Sequence, residues 1–317
     1  MEELMLEVSN LYKNYGKTAA VKNLSFSVSK GEVFGFLGPN GAGKTTTMKI
    51  ITGFLPMSQG SVKVAGLDIA LNDLQARQKI GYLPETTPLY TDMFVCEYLE
   101  FIGKLRGLSG ENLKKRVKKM LEVCGLEEMR NRPIGYLSKG YRQRTGLAQA
   151  MIHEPQLLIL DEPMSGLDPN QIIEIRQLIK EIGKEKAVVY CSHILPEVAA
   201  TCNRILIINE GETAAVGTPE EVIEKSREEN ASYQITLKNF NEEIEKKIRE
   251  IVEIEKISVN YSLEDVFSKL TKKDAATTTE GTNNRNANAE NNNADAHSQT
   301  QTQNSGVCDT PQNKEAK

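Results

Sequence analysis

The segment Gly38-Pro39-Asn40-Gly41-Ala42-Gly43-Lys44-Thr45 sets two glycines around four residues and follows them at once with lysine and threonine. That spacing suits a phosphate cradle. Glycines let backbone N–H groups curl around phosphate oxygens, a lysine reaches the β- and γ-phosphates, and the Thr45 hydroxyl can hold Mg²⁺. A helix starting near Lys44 and running through Thr46 to Thr52 adds its positive dipole end. At ordinary glycine frequencies the pattern arises by chance in about one chain per hundred. The competing reading, a glycine-rich turn with an incidental lysine, lacks the strand before and the helix after.

Two further groups can do chemistry on a bound triphosphate. Asp161 ends an apolar run, where its carboxylate can enter a metal's coordination shell through water. Glu162, the next residue, can orient or deprotonate an attacking water. His193 also ends an apolar run and can bond a γ-phosphate and fix that water. A polar loop start for Asp161-Glu162-Pro163 and a structural role for a lone histidine are the bland alternatives. Three such motifs in one chain favour the functional reading. His153 and His297 lack that context and read as a helix-end residue and a tail residue.

These residues need elements to hold them. Glu32 to Leu37, Leu157 to Leu160 and Ala187 to Cys191 are short apolar runs rich in β-formers. They suit strands buried on both faces of a mainly parallel sheet, and ligands bind outside the carboxyl ends of such strands. All three runs place their polar residues at that end. Helices fill the gaps. Ile172, Ile175, Leu178, Ile179 and Ile182 form a helical stripe, which Asp168 caps and Gly183 can close. Leu89 to Met151 reads as mostly helical, broken at Gly107–Gly110 and at Arg132-Pro133. Ser138 opens a helical run to about Ile152 as its N-cap. A turn-rich hairpin spans Glu210 to Gly217.

At this point the sequence resembles the ATP-binding subunits of ABC transporters over about residues 3–226. Leu137-Ser138-Lys139-Gly140-Tyr141-Arg142-Gln143-Arg144 is similar to the ABC signature, Ser165 to Asp168 to the D-loop, and Ser192-His193 to the switch histidine. Tyr15 stands where the family stacks an aromatic on adenine, although Tyr12 lies three residues away. Ile80 to Glu85 stands at the Q-loop. The chain departs from the family in carrying Lys139 and Tyr141 at the third and fifth signature positions, and Glu85 where glutamine is usual. In these respects, in the phrase Ile80 to Tyr90 and in the ending Leu263 to Phe267, it resembles the subgroup that drives ABC-2-type permeases. That subgroup includes gliding-motility-associated subunits of Bacteroidetes.

The resemblance implies an α/β fold: a P-loop ABC ATPase core with a mainly parallel sheet, an antiparallel β subdomain and a helical insertion. A nucleotide-binding domain would span 1–228, with its insertion at about 86–152. The family cofactors would be ATP and Mg²⁺. Gly38 to Thr46 and Tyr15 would hold the nucleotide, with Lys44, Glu162 and His193 catalytic and Thr45, Glu85 and Asp161 on the metal. Ser138, Gly140 and Asp168 would contact ATP held by a second subunit, in a sandwich formed with itself or a paralogous ATPase. A separate transmembrane permease would dock near Glu85 to Leu105. The expected location is cytoplasmic, peripheral on the inner face of the membrane.

Composition narrows the alternatives. The net charge of −4 over 317 residues argues against a general nucleic-acid binder. No apolar run nears the ~20 residues of a spanning helix, and the N-terminus lacks signal-peptide features. The five cysteines form no CxxC pair, which suits reduced thiols. Seven Lys or Arg lie between Lys104 and Lys119, read as a solvated helix face, with contact to anionic lipid as the functional alternative. Residues 229–273 alternate strand and helix as a small α+β module. Residues 274–317, rich in Asn, Thr and Gln, cannot bury enough apolar surface to order and read as a disordered tail. A soluble ABC protein of translation or chromosomes would need paired ATPase units or long coiled coils, which the chain lacks. A P-loop kinase would not carry the Leu137–Arg144 signature.

Overall fold

The computed structural model describes residues 3–225, together with residues 244 and 246–248 in helical conformation. Residues 3–225 belong to one compact unit and the latter four to another. The chain order is β1 (Leu4–Tyr15), β2 (Thr18–Ser29), β3 (Val33–Leu37), α1 (Lys44–Ile51), β4 (Gln59–Val64), β5 (Leu67–Asp68), α2 (Asp73–Gln78) and β6 (Ile80–Leu83). Then follow α3 (Val95–Leu105), α4 (Gly110–Val123), α5 (Lys139–Met151), β7 (Leu157–Asp161), α6 (Pro169–Gly183), β8 (Ala187–Ser192), α7 (Leu195–Thr201), β9 (Arg204–Asn209), β10 (Glu212–Gly217) and α8 (Pro219–Lys225). The expected module at 229–273 and tail at 274–317 otherwise lie outside the described residues.

β3, β7 and β8 are buried at every position. They lie in a six-stranded sheet ordered β10-β9-β3-β8-β7-β6, parallel except for β10. Because strand side chains alternate between faces, each run feeds two cores. Phe34, Phe36, Leu157, Ile159, Val189 and Leu206 pack with α1 and with β1, β2 and β4. Val33, Leu158, Leu160, Val188, Tyr190 and Ile205 pack with α5, α6 and α7. Burying one such side chain contributes about 1.5–3 kcal/mol. A run apolar at every position is therefore stable only with both faces covered.

The cover on the first face is a second, antiparallel sheet ordered β2-β1-β4-β5. On the other side, α3, α4 and α5 lie between β6 and β7 in sequence. The helical expectation there needs two corrections: residues 124–138, between α4 and α5, hold only two short 3-10 turns, a longer break than Arg132-Pro133, and the start of the region differs as well. Residues 89–94 are not helical, and α3 begins only at Val95, where Phe94 forms an isolated bridge with Pro133. α6 does close at Gly183, as expected, but for a different reason. A Cβ on Gly183 would overlap Val33, and the residue lacks the left-handed backbone of a helix-terminating glycine. Gly183 is there to let α6 approach β3. Ser138 and Asp168 do cap α5 and α6, accepting from Tyr141 N at 3.4 Å and Gln171 N at 3.0 Å.

Candidate functional site: a phosphate loop facing two carboxylates

The turn after β3 leads directly into α1, with Gly43 at φ 107°. A Cβ there would stand 2.6 Å from the Ala20 carbonyl oxygen, so glycine is required for space as well as backbone. Lys44 is buried, and its ammonium donates to Gly38 O at 2.7 Å and Pro39 O at 3.1 Å. The lysine thereby folds its own loop into a ring. The Thr45 side chain is exposed, and neither it nor Thr46 makes a side-chain hydrogen bond among the described residues, whereas Thr47 donates to Gly43 O at 2.9 Å. Of the three threonines of α1, Thr47 alone is committed to its own helix.

Asp161 shares strand parity with Leu157 and Ile159, so it faces the side occupied by α1 and its phosphate loop. It stands beside Cys191 in the parallel register of β7 and β8. Burial is the main cause that raises the Asp161 pKa; nearby Glu162 and Glu85 add to it, while the Cys191 thiol and Lys44 offset it. Burial also pushes up the Cys191 thiol and the Tyr82 phenol, and the neighbouring Asp161 adds to both. A cation placed among these oxygens would relieve the burial penalty.

Glu162 is set by its backbone. Of the six described non-glycine residues in the left-handed region, it alone is buried, at φ 48°. That conformation costs on the order of 1 kcal/mol, and its N–H donates to Cys191 O at 2.9 Å. The turn aims the carboxylate at β8. Ser192 Oγ donates to Glu162 Oε2 at 3.0 Å, and His193 Nδ1 lies 2.7 Å from Oε1. With Nδ1–H donating to the carboxylate, a neutral His193 presents Nε2 as an acceptor only. It can accept from water, whereas donating to a phosphate requires the imidazolium.

The structure thus brings Lys44, Glu85, Asp161, Glu162 and His193 to one sheet edge. Ser192, Cys191 and Tyr82 join them and were not singled out from sequence. Ser192 had a readable signal, a hydroxyl beside His193 at a strand end; the other two emerge only from the pairing of strands. Ser138, Gly140 and Asp168 gather elsewhere, at the start of α5 and α6. A Cβ on Gly140 would stand 2.7 Å from Gln171 Cδ, which explains that glycine by packing within the chain. No hydrogen bond or ion pair among the described residues joins this cluster to the phosphate loop. Tyr15 is half-exposed, with the Lys13 ammonium 5.3 Å from its ring centroid.

Fold and site define a nucleotide-hydrolysing cassette, and comparison with known proteins agrees. The ABC transporter family model matches residues 21–165. The linearmycin resistance ATP-binding protein LnrL of Bacillus subtilis is 39% identical over 259 residues, covering 81% of this chain and 82% of that protein. A Nod factor export ATP-binding protein I of Ralstonia nicotianae is 36% identical, covering 69% and 68%. CbiO1 of Clostridium perfringens, part of the ABC transporter complex cbiONQ, superimposes with a TM-score of 0.65 at 30% identity, over 71% of this chain and 92% of that one. The chain belongs to the ATP-binding subunits of ABC transporters. It binds ATP and hydrolyses it in coupling to transport. No helix among the described residues is long and apolar enough to cross a membrane.

Proposed function

We propose that this chain powers an ABC-2-type exporter from the inner face of the cell membrane, as one half of an ATP sandwich beneath a separate permease. The observation that carries the catalytic part is Glu162, buried at a strand end and held by both Ser192 and His193. In this reading the carboxylate accepts a proton from water as the water oxygen bonds to the γ-phosphorus. The bond from that phosphorus to its bridging oxygen breaks, and ADP leaves. Lys44 draws charge from the phosphates, and His193 Nε2 accepts from the water to hold it in line. Glycines 38, 41 and 43, with Pro39, Asn40, Ala42 and Thr46, form the cradle, and Tyr15 supports the adenine.

The oxygen donors Thr45, Asp161 and Glu85 fit Mg²⁺, which prefers oxygen ligands and needs only one or two carboxylates beside water and phosphate. When bound, that ion would neutralise charge developing on the phosphates. Glu85 adds a carboxylate where the family has an amide, which raises the charge demand of the site.

Ser138, Gly140 and Asp168 serve the nucleotide of the second subunit, itself or a paralogous ATPase. The permease docks on the helical region near Glu85 to Leu105, where Tyr90 and Leu105 are 54% and 67% exposed, an apolar surface that water alone does not favour. The names of the relatives above, Nod factor export and linearmycin resistance, support the export direction. The narrower link to gliding motility rests on the sequence phrases Ile80–Tyr90 and Leu263–Phe267.

The test is Glu162→Gln in the full chain. Hydrolysis is expected to fall at least about a hundredfold, ATP binding to persist, and an ATP-dependent dimer to accumulate in light scattering. Turnover at the wild-type rate removes the base assignment. In Ser138→Arg, turnover is expected to vanish while monomers still bind ATP; lost monomer binding would count against a contact in trans.

A further inference from the structure

Three carboxylates are buried among the described residues: Asp161, Glu162 and Glu197. The first two belong to the site; the third has no part in it so far. Glu197 lies in the first turn of α7, where a helix favours an acid. That preference does not ask for burial. Asp73, Glu111, Glu220 and Glu221, in the first turns of α2, α4 and α8, are all exposed. Burying a carboxylate is costly unless a donor meets it. Here the donor is Tyr190, wholly buried in β8, whose hydroxyl donates to Glu197 Oε2 at 3.1 Å. Burial pushes the Tyr190 phenol well up, which keeps it a donor.

This contact ties down one end of a short loop. Ser192 and Glu197 are buried, while His193, Ile194, Leu195 and Pro196 between them are exposed. The near end is held by Ser192, which donates to Glu162 Oε2 at 3.0 Å and accepts from Ile194 N at 3.2 Å. The far end is held by Glu197 to Tyr190, which stands two residues before Ser192 and so on the same face of β8. Just beyond, α7 is seated on β3: a Cβ on Gly35 would stand 2.4 Å from Val198 Cγ1. His193 is therefore an exposed side chain carried between two buried anchors. Burial is the main cause that raises the Glu197 pKa, and Glu162 adds to it, while the Tyr190 hydroxyl, Arg176 and His193 offset it. The Glu197 carboxylate thus lies within electrostatic reach of both Glu162 and His193.

We infer that Tyr190 and Glu197 are positioning residues for hydrolysis: their hydrogen bond sets where the His193 loop returns to the sheet, and so keeps the imidazole on Glu162. This rests on the reading of His193 given above, in which that residue holds the reacting water. Neither Tyr190 nor Glu197 touches nucleotide or water in this role. Both act through His193.

The experiment is a double-mutant cycle in the full chain, read by steady-state phosphate release. Tyr190→Phe is expected to lower kcat about three- to tenfold, with KM for ATP within about twofold of wild type. Glu197→Ala should do the same. Glu197→Gln keeps an oxygen that accepts from Tyr190 and should stay within about twofold of wild type. In a His193→Ala background, with no imidazole left to hold, Tyr190→Phe should cost less than about a further twofold. A merely structural role would cost the same in both backgrounds. Gly183→Ala, a strain placed away from the loop, should lower the urea midpoint and leave kcat within about twofold. The inference is overturned if Tyr190→Phe turns over ATP at the wild-type rate, or if its cost is equal with and without His193. It is also overturned if Glu197→Gln is as slow as Glu197→Ala; that pair carries the test should Tyr190→Phe fail to fold. If His193→Ala itself runs at the wild-type rate, the reading of His193 falls and this inference with it. If His193→Ala is slow and Tyr190→Phe is not, this inference alone fails.

Discussion

His193 Nδ1 lies 2.7 Å from Glu162 Oε1, across the boundary between two parallel strands. Ser192 holds the other carboxylate oxygen at 3.0 Å. The two contacts differ in kind. In the mechanism proposed above the serine only orients the base, whereas the histidine orients it and also offers Nε2 to the reacting water. Ser192→Ala is expected to lower kcat about three- to tenfold, the loss of one hydrogen bond of about 1 kcal/mol. His193→Ala should lower kcat about a hundredfold or more, with KM for ATP little changed. Steady-state phosphate release measures both. Equal losses in the two variants would mean that His193 acts only by orienting Glu162.

In the proposed reading, Tyr15 and Tyr12 are the two candidates to stack on the adenine. Tyr15 is half-exposed at the end of β1 with a lysine ammonium beside its ring, while Tyr12 is partly buried. Tyr15→Ala is expected to weaken ATP binding about tenfold by loss of stacking, and Tyr12→Ala to leave it within about twofold. Fluorescent-nucleotide titration distinguishes them; the reverse order would move the adenine to Tyr12.

Gly183→Ala places a methyl group into Val33, which is buried in β3. Overpacking of this kind costs about 1–3 kcal/mol. A lower urea midpoint with an unchanged slope is expected. An unchanged midpoint would show that α6 can retreat from the sheet without loss.

His153 supplies a pH dependence of stability. Its Nε2 meets Ile80 O at 3.0 Å and its Nδ1 is buried without a partner. Burial, and then the charge of Arg106, lower its pKa to about 4, with Lys186 and Arg116 contributing further. A folded-state pKa below the unfolded one means that the unfolded chain takes up the proton first. Stability from this residue is therefore full above about pH 6.5 and is lost as the pH falls toward about 4. Discounted for partial exposure, the loss between pH 7.5 and 5 is about 1 kcal/mol. His153→Gln, which keeps a donor to Ile80, should shrink the difference between urea midpoints at those two pH values. An unchanged difference would assign the acid sensitivity to other groups.

The placement of the candidate groups was readable from sequence wherever consecutive residues determine it. The phosphate loop, Asp161-Glu162 and Ser192-His193 each follow an apolar run, and alternation carries their side chains to known faces. The caps at Ser138 and Asp168 were readable for the same local reason. What crosses strands was not. The Cys191 thiol meets Asp161 only because β7 and β8 pair in that register. β1 and β2 were expected from family likeness rather than from pattern, because register shifts between Leu4 and Leu6 and between Val8 and Leu11 break the alternation. The late start of α3 likewise depends on Phe94 meeting Pro133, far along the chain. Gly183 shows the same limit in one residue: its place at the end of α6 was readable, but its packing against Val33, remote in sequence, was not.

The close seat of Gly140 on Gln171, with Lys139 over Gly166, fuses the tip of α5 to the turn that follows Glu162. A compound wedged into that seam would pry apart one chain's reaction turn and the surface that chain offers its neighbour. In the sandwich proposed above, a single drug-sized insertion would then silence both pockets of a pair without ever competing with the nucleotide.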